Sequence, residues 1–215
     1  MDYQRYKHSE DVHNTKAACE IVPYLMERFS PRSVIDIGCG LGTWLSVFQS
    51  FGVSKVLGLD GNYTDRTLLK IDPNDFLAVD LEYPFTIQEK FDLAICLEVA
   101  EHLSEGSANT FVDSLIMLSD IICFSAAIPG QGGQNHVNEQ WLHYWSTKFE
   151  KHGYGLVDEI RHLFWNNPNI EWWYRQNMCL FIKKDSPTVD NTNISFTFPK
   201  SYIHPELYLL MIRNR

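Results

Sequence analysis

VIDIGCGLGTW, residues 34–44, is a β-branched run that ends in Gly38, Gly40 and Gly42, spaced two residues apart, before a helical pattern begins. Small residues at a strand-to-helix turn let the backbone approach a ligand closely, and the helix start offers free N–H groups. A dinucleotide loop reads G-x-G-x-x-G, with its last glycine one residue later. Here Asp36 stands two residues before the first glycine, so the pattern is D-x-G-x-G-x-G. Alone, such a loop fits either a nucleotide site or a plain tight turn.

The flanking chain alternates strand and helix patterns. TKAACEIVPYLMERF (15–29) carries apolar residues at helical spacing, with Pro23 as an expected kink. GTWLSVFQSFG (42–52) reads as a helix closed by Gly52. KVLGLD (55–60), DFLAVDL (75–81), FDLAICLE (91–98) and DIICFSAAIP (120–129) read as strands, with a helix over SANTFVDSLIMLS (107–119). A helix is expected from Asn138 to Lys151, then a closing pair of strands in GLVDEI and NMCLFIKK. This order predicts an α/β fold, an open parallel sheet with helices on both faces. DSPTVDNTNISFTFPK (185–200) is polar and expected to be irregular, and PELYLLMIR (205–213) reads as a last helix opened by Pro205.

A chain of 215 residues accommodates one sizeable domain and no second core is visible. One domain over 1–184, with an N-terminal helical cap, and a C-terminal extension over 185–215 are therefore expected. The extension is too apolar to be a free tail, so it should pack on the body or on the partner subunit of a homodimer. A net charge of −9 argues against a broad nucleic-acid surface. No stretch is apolar enough to span a bilayer, and the polar N-terminus lacks the core of a secretory signal. The odd number of cysteines, with Cys96, Cys123 and Cys179 inside strand patterns, suits reduced thiols in the cytoplasm.

Two acids follow the glycine loop in order. Asp60, ending the second strand, is placed to accept hydrogen bonds from two ribose hydroxyls, and Asp80, after the third, can reach an adenine amine. Both could instead cap helices, a common use of Asp. Together with the loop they make the region 33–184 resemble the class I S-adenosylmethionine-dependent methyltransferases. The resemblance implies a Rossmann-like seven-stranded sheet, mostly parallel with one antiparallel closing strand. It implies that Asp36, Gly38, Cys39, Gly40 and Gly42 hold the methionine end of S-adenosylmethionine. It also implies that Asp60 holds the ribose, that Asp80 and Leu81 hold adenine, and that Trp44, Gly61 and Leu97 complete the cofactor site.

EVAEH (98–102) surfaces directly after the fourth strand pattern, where amine methyltransferases carry a (D/N)PP(Y/F) sequence. Its absence favours an oxygen acceptor. PGQGGQNHVNEQW (129–141) follows the fifth strand and puts His136 on the neighbouring loop, and such loops meet over one sheet edge. Glu98, Glu101, His102 and His136 resemble the divalent-cation site of small-RNA 3′-end 2′-O-methyltransferases and ubiquinone-pathway O-methyltransferases. A cation of the Mn, Fe, Co or Mg type would then assist proton loss from the acceptor hydroxyl. Without a metal, His136 or His102 is the expected general base, with Glu98 beside it; His143 reads as a surface helix residue.

Five of the six tryptophans lie between 141 and 173. Trp141 and Trp145, four residues apart, are expected to share a helix face. With Gln140, Trp173 and Arg175 they are expected to wall an acceptor pocket for a sugar or planar ring. The stretch from SAAIPGQGGQ to WYRQN resembles bacterial and viral small-molecule or sugar O-methyltransferases. The expected function is methylation of a hydroxyl on a sugar, glycan or small molecule, with nucleic acid disfavoured by the charge. An RNA 2′-O-methyltransferase and a non-catalytic cofactor-binding module are the alternatives.

Overall fold

The computed structural model describes residues 14–187 and 194–213. The polar N-terminal stretch and the middle of the 185–200 segment lie outside the described residues. Helix α1 (Lys16–Phe29) comes first and runs unbroken through Pro23. Strand β1 (Ser33–Ile37), helix α2 (Thr43–Ser50), β2 (Lys55–Asp60) and β3 (Phe76–Ala78) follow. Then come β4 (Leu93–Leu97), α3 (Ala108–Leu118), β5 (Ile121–Ser125), α4 (Leu142–Glu150) and β6 (Tyr154–Val157). The chain continues as α5 (Glu159–Phe164), α6 (Trp172–Asn177), β7 (Cys179–Lys183) and α7 (Pro205–Arg213).

The strands form one sheet in the order β3-β2-β1-β4-β5-β7-β6. All neighbours from β3 to β5 are parallel, and β7 runs antiparallel to both β5 and β6. The expected antiparallel strand is thus β7. It is inserted between β5 and β6, which leaves β6 at the edge.

Both faces of the sheet are covered, which explains why the strands read as continuous apolar runs. Along β4, Leu93, Ile95 and Leu97 pack with α1 and α2 residues such as Ile21 and Phe48. Ala94 and Cys96 between them pack on the other face with Phe111 and Leu115 of α3 and Trp145 and Phe149 of α4. The period of two assigns alternate residues to opposite cores. All five cysteines are free thiols, and all but Cys19 are buried.

The fifth strand ends at Ser125 rather than Pro129, helix α6 was not expected, and three further boundaries differ from expectation for a visible reason. The third strand ends at Ala78, because the Asp80 side chain accepts from Glu82 N and its carbonyl accepts from Tyr83 N, turning the chain. The GLVDEI strand ends at Val157, because Asp158 and Arg161 form a buried two-point ion pair that opens α5. Helix α4 starts at Leu142 rather than Asn138. Val137 N and Asn138 N donate to the Glu101 carbonyl and Gln140 N donates to that of Ala127, so the approach is extended.

The C-terminal segment returns to the body. Thr197 N donates to the Leu156 carbonyl, Leu207 is buried, and Glu206 pairs with Arg175 of α6. Among the described residues no helix is long and apolar enough to cross a membrane.

Candidate active site

The glycine loop joins β1 to α2 at the carboxyl edge of the sheet. Gly38, Gly40 and Gly42 have φ of 78°, 54° and 75°, in the left-handed region that favours glycine. At Gly38 a Cβ would lie 2.3 Å from Val99 Cγ2, so the loop and the segment after β4 touch where only a hydrogen fits. Gly38 N and Cys39 N both donate to the Leu59 carbonyl, which ties the loop to β2.

Asp60 organises the next part of the site. Its carboxylate accepts from Gly40 N at 2.7 Å and from Gly61 N at 2.6 Å, and the residue is buried. Each oxygen retains a lone pair, so both remain able to accept a hydroxyl. Asp36 is also buried, and burial followed by the nearby Asp60 charge pushes its carboxyl well up. Leu81, Leu97 and Trp44 are buried around the loop, whereas Asp80 is exposed. Trp44 meets Tyr174 of α6 edge-on at 5.5 Å.

Past β4 the chain turns through Glu98, a non-glycine residue at φ 53°. The carboxylate of Glu98 accepts from Asn177 Nδ2 at 3.1 Å and from Gln131 Nε2 at 2.8 Å. Burial pushes its carboxyl up, and these amides pull it part of the way back.

Glu101, His102 and His136 offer one ligand atom each, all within 4.8 Å of one another. Glu101 is fully buried, and neither carboxylate oxygen makes a hydrogen bond of ordinary geometry, although the backbone of Glu101 and Ala127 and the Glu98 carboxyl lie close. Burial, and then the neighbouring Glu98 charge, push its carboxyl well up. A buried carboxylate in this state either keeps its proton or awaits a cation. The His102 ring is held down to about 4 by burial and by the His136 charge, against hydrogen bonds that it donates to the loop backbone. The two rings meet edge-on at 4.9 Å.

Glu139 was not foreseen as a site residue. Its carboxylate accepts from Gly130 N and Gly132 N at 2.7 Å and contacts His136 Nδ1 at 2.9 Å. With Nδ1 donating to Glu139, Nε2 is the nitrogen left to take a proton or a ligand. Gly133 presses on the other side of the ring, where a Cβ would lie 2.3 Å from Nε2. Glu139, Gln131 and Asn177 carried no motif; the only signal was Glu139 standing three residues after His136.

Of the expected four-ligand set, Glu101, His102 and His136 bring ligand atoms together, and Glu98 lies beside Glu101 with its carboxylate also engaged by amides. The expected acceptor-pocket residues do not converge. Trp145 is buried in the core against Phe124 and Tyr144. Trp141 is 41% exposed, since it precedes α4 with an extended ψ of 150° and the helical four-residue rule does not reach it. Arg175 is held by Glu206 and the Trp165 carbonyl, and Trp173 packs edge-on against Trp172. Gln140 and Trp141 do share a surface hollow.

A methyltransferase-domain family model matches residues 9–177. Solved structures of similar fold include the methyltransferase domain of a bacterial CtHen1, 19% identical, with 79% of this chain and 100% of that one covered and a TM-score of 0.57. CalS10 from Micromonospora echinaspora, an amino pentose methyltransferase of calicheamicin biosynthesis, is 12% identical, with coverage of 86% and 100% and a TM-score of 0.58. The small RNA methyltransferase HEN1 is 14% identical, with 78% of this chain but 25% of that one covered and a TM-score of 0.53. Identities this low establish a shared fold. No curated protein matches the chain in sequence.

Proposed function

The chain belongs to the methyltransferase-domain family of class I S-adenosylmethionine-dependent enzymes, and from that premise we propose that it is an O-methyltransferase for a hydroxyl of a sugar, glycan or small molecule. S-adenosylmethionine supplies the electrophilic methyl group, so the protein's task is to position an acceptor oxygen and assist loss of its proton. Asp36 and the glycine loop hold the methionine end of the cofactor, Asp60 the ribose, and Asp80 with Leu81 the adenine.

The observation that supports the acceptor half is the buried Glu101 carboxylate, without a well-formed hydrogen bond, beside His102 and His136. These three fit a divalent cation with mixed oxygen and nitrogen donors, of the Mn, Fe or Co type more than Mg. Bound there, such an ion supplies Lewis acidity toward the acceptor hydroxyl. In the metal-free variant of this mechanism His136 takes the proton on Nε2, with Glu139 stabilising the imidazolium that forms.

RNA 2′-O-methylation is the second reading, favoured by the same Glu-His-His cluster and by the fold likeness to RNA methyltransferase structures. The net charge of −9 stands against it. Tritiated cofactor screened against sugars, phenols and single-stranded RNA, with and without chelator, decides between them. Methyl transfer to RNA alone, or to none of the acceptors, would overturn the first reading.

A further inference from the structure

One face of α4 is turned to solvent in an unusual way. Tyr144, Lys148 and Lys151 follow one another at helical spacing, and with Trp141 just before the helix, Gln140 and Ser201 they line a surface hollow of ≈ 630 Å³. The opposite face, with Leu142, Trp145 and Phe149, is locked in the core, so the outward stripe stands on a rigid support. Trp141 leaves 41% of its surface in water, so the indole is open to a ligand from solvent.

The two lysines are undercompensated. Among the described residues no carboxylate comes within ion-pair distance of either, in a chain whose net charge is −9. Lys148 Nζ donates to the neutral Asn109 Oδ1 at 2.7 Å and lies 4.2 Å over the Tyr144 ring. Burial and the Lys151 charge pull the Lys148 ammonium down, while Glu105, farther off, opposes them. An anion between the lysines would relieve this repulsion.

Hydrogen bonds link the wall of the hollow to the backbone of the cluster. Gln140 Nε2 donates to Asn138 Oδ1 at 3.0 Å, and Asn138 N donates to the Glu101 carbonyl. Asn138 is buried, yet its side-chain Nδ2 has no partner, so a donor waits between the hollow and Glu101.

We propose that this hollow binds the nucleoside diphosphate portion of a nucleotide-activated sugar. The base stacks on Trp141, the phosphates lie on Lys148 and Lys151, and the sugar extends past Asn138 toward Glu101, His102 and His136. From Leu142, the residue after Trp141, to Lys148 the helix rises roughly 9 Å, which is the kind of reach a base needs to its phosphates. This assignment rests on the acceptor reading above and narrows it to an anionic sugar donor form.

The test is calorimetric titration of the full chain, saturated with S-adenosylhomocysteine to block the cofactor site, using UDP, GDP, CDP and ADP, with inorganic pyrophosphate and oligouridylate as further arms. At least one nucleoside diphosphate should bind, more tightly than pyrophosphate. Lys148→Gln/Lys151→Gln and Trp141→Ala should each weaken that binding about tenfold or more, while S-adenosylhomocysteine affinity and melting temperature stay unchanged. The assignment is overturned if none of the four binds at millimolar concentration, or if the double lysine variant binds like wild type. It is also overturned if oligouridylate binds more tightly as it lengthens, which would make the hollow an RNA surface. Nucleotide binding without methyl transfer to any nucleotide sugar would instead sink the O-methyltransferase reading and leave the hollow's assignment standing. Methyl transfer to neutral sugars, with no nucleoside diphosphate bound by the chain, would do the reverse.

Discussion

Asn177 donates its side-chain amide to both carboxylate oxygens of Glu98, at 3.1 and 3.4 Å, across 79 positions of sequence. The bond is one link in a chain of amides. Gln176 Nε2 holds Asn177 Oδ1 and Gln131 Oε1, and Gln176 Oε1 accepts from His204 N at 2.7 Å. A carboxylate in a left-handed turn is thereby fixed by residues from three distant segments, the C-terminal one included. Asn177→Leu should remove the donors that favour the charged form and raise the Glu98 carboxyl further. Turnover should fall about tenfold and its acid limb should move to higher pH, with cofactor affinity unchanged. A pH–rate profile identical to that of wild type would count against any role of Glu98 in catalysis.

In metal-free protein Glu101 should cost stability as pH rises. Its carboxyl lies above the ordinary value, through burial first and Glu98 second, so the folded state holds its proton where the unfolded state, near about 4.3, has released it. The stability associated with that proton is present below the unfolded value and is lost as pH rises toward the folded one. Glu101→Gln should therefore melt higher than wild type in EDTA at pH 8, and the gap should narrow toward pH 5. Melting curves across pH check this; a variant less stable than wild type at pH 8 contradicts it.

Divalent metal should reverse that order. If Glu101, His102 and His136 share an ion, excess Mn²⁺ raises the melting temperature of wild type, by about 2.7 kcal/mol of stability at a hundred times the dissociation constant. Glu101→Gln and His136→Ala should lose most of that gain. Equal Mn²⁺ stabilisation of all three proteins would place the metal elsewhere.

Gly38→Ala should damage the fold and the cofactor site together. The new Cβ lies 2.3 Å from Val99 Cγ2 at a φ of 78°, which adds overpacking of about 1–3 kcal/mol to a left-handed penalty of about 1–2 kcal/mol. Trimming the neighbour in Gly38→Ala/Val99→Ala should recover the packing part and leave the backbone part. Denaturant melts of the single and double variants measure both; no recovery in the double variant refutes the contact.

Asp60→Ala should weaken S-adenosylmethionine and S-adenosylhomocysteine binding alike, by about 1.5–3 kcal/mol for each charge-assisted hydrogen bond removed. It also frees Gly40 N and Gly61 N, so the glycine loop should exchange its amide hydrogens faster. A folded variant that titrates both ligands like wild type would rule out the ribose assignment.

Local chemistry alone determined much of this protein. Glycine spacing, β-branched runs and strand-end acids depend on residues close together in sequence, and they specify the sheet, the glycine loop and the family. The two-sided burial of β4 and β5 was likewise legible, because continuous apolar runs have no exposed face. Tertiary structure decided what depends on register and on helix phase. Trp141 and Trp145 parted because α4 begins one residue after Trp141. Arg175 turned to Glu206, and Glu98 to Asn177 and Gln131, partners that no sequence periodicity links. The meeting of Glu101 with His136 lies between these cases. Adjacent parallel strands bring their following loops to one edge, but the bonds from Val137 N and Asn138 N to the Glu101 carbonyl, with Glu139 on His136 Nδ1, set the ring beside the carboxylate.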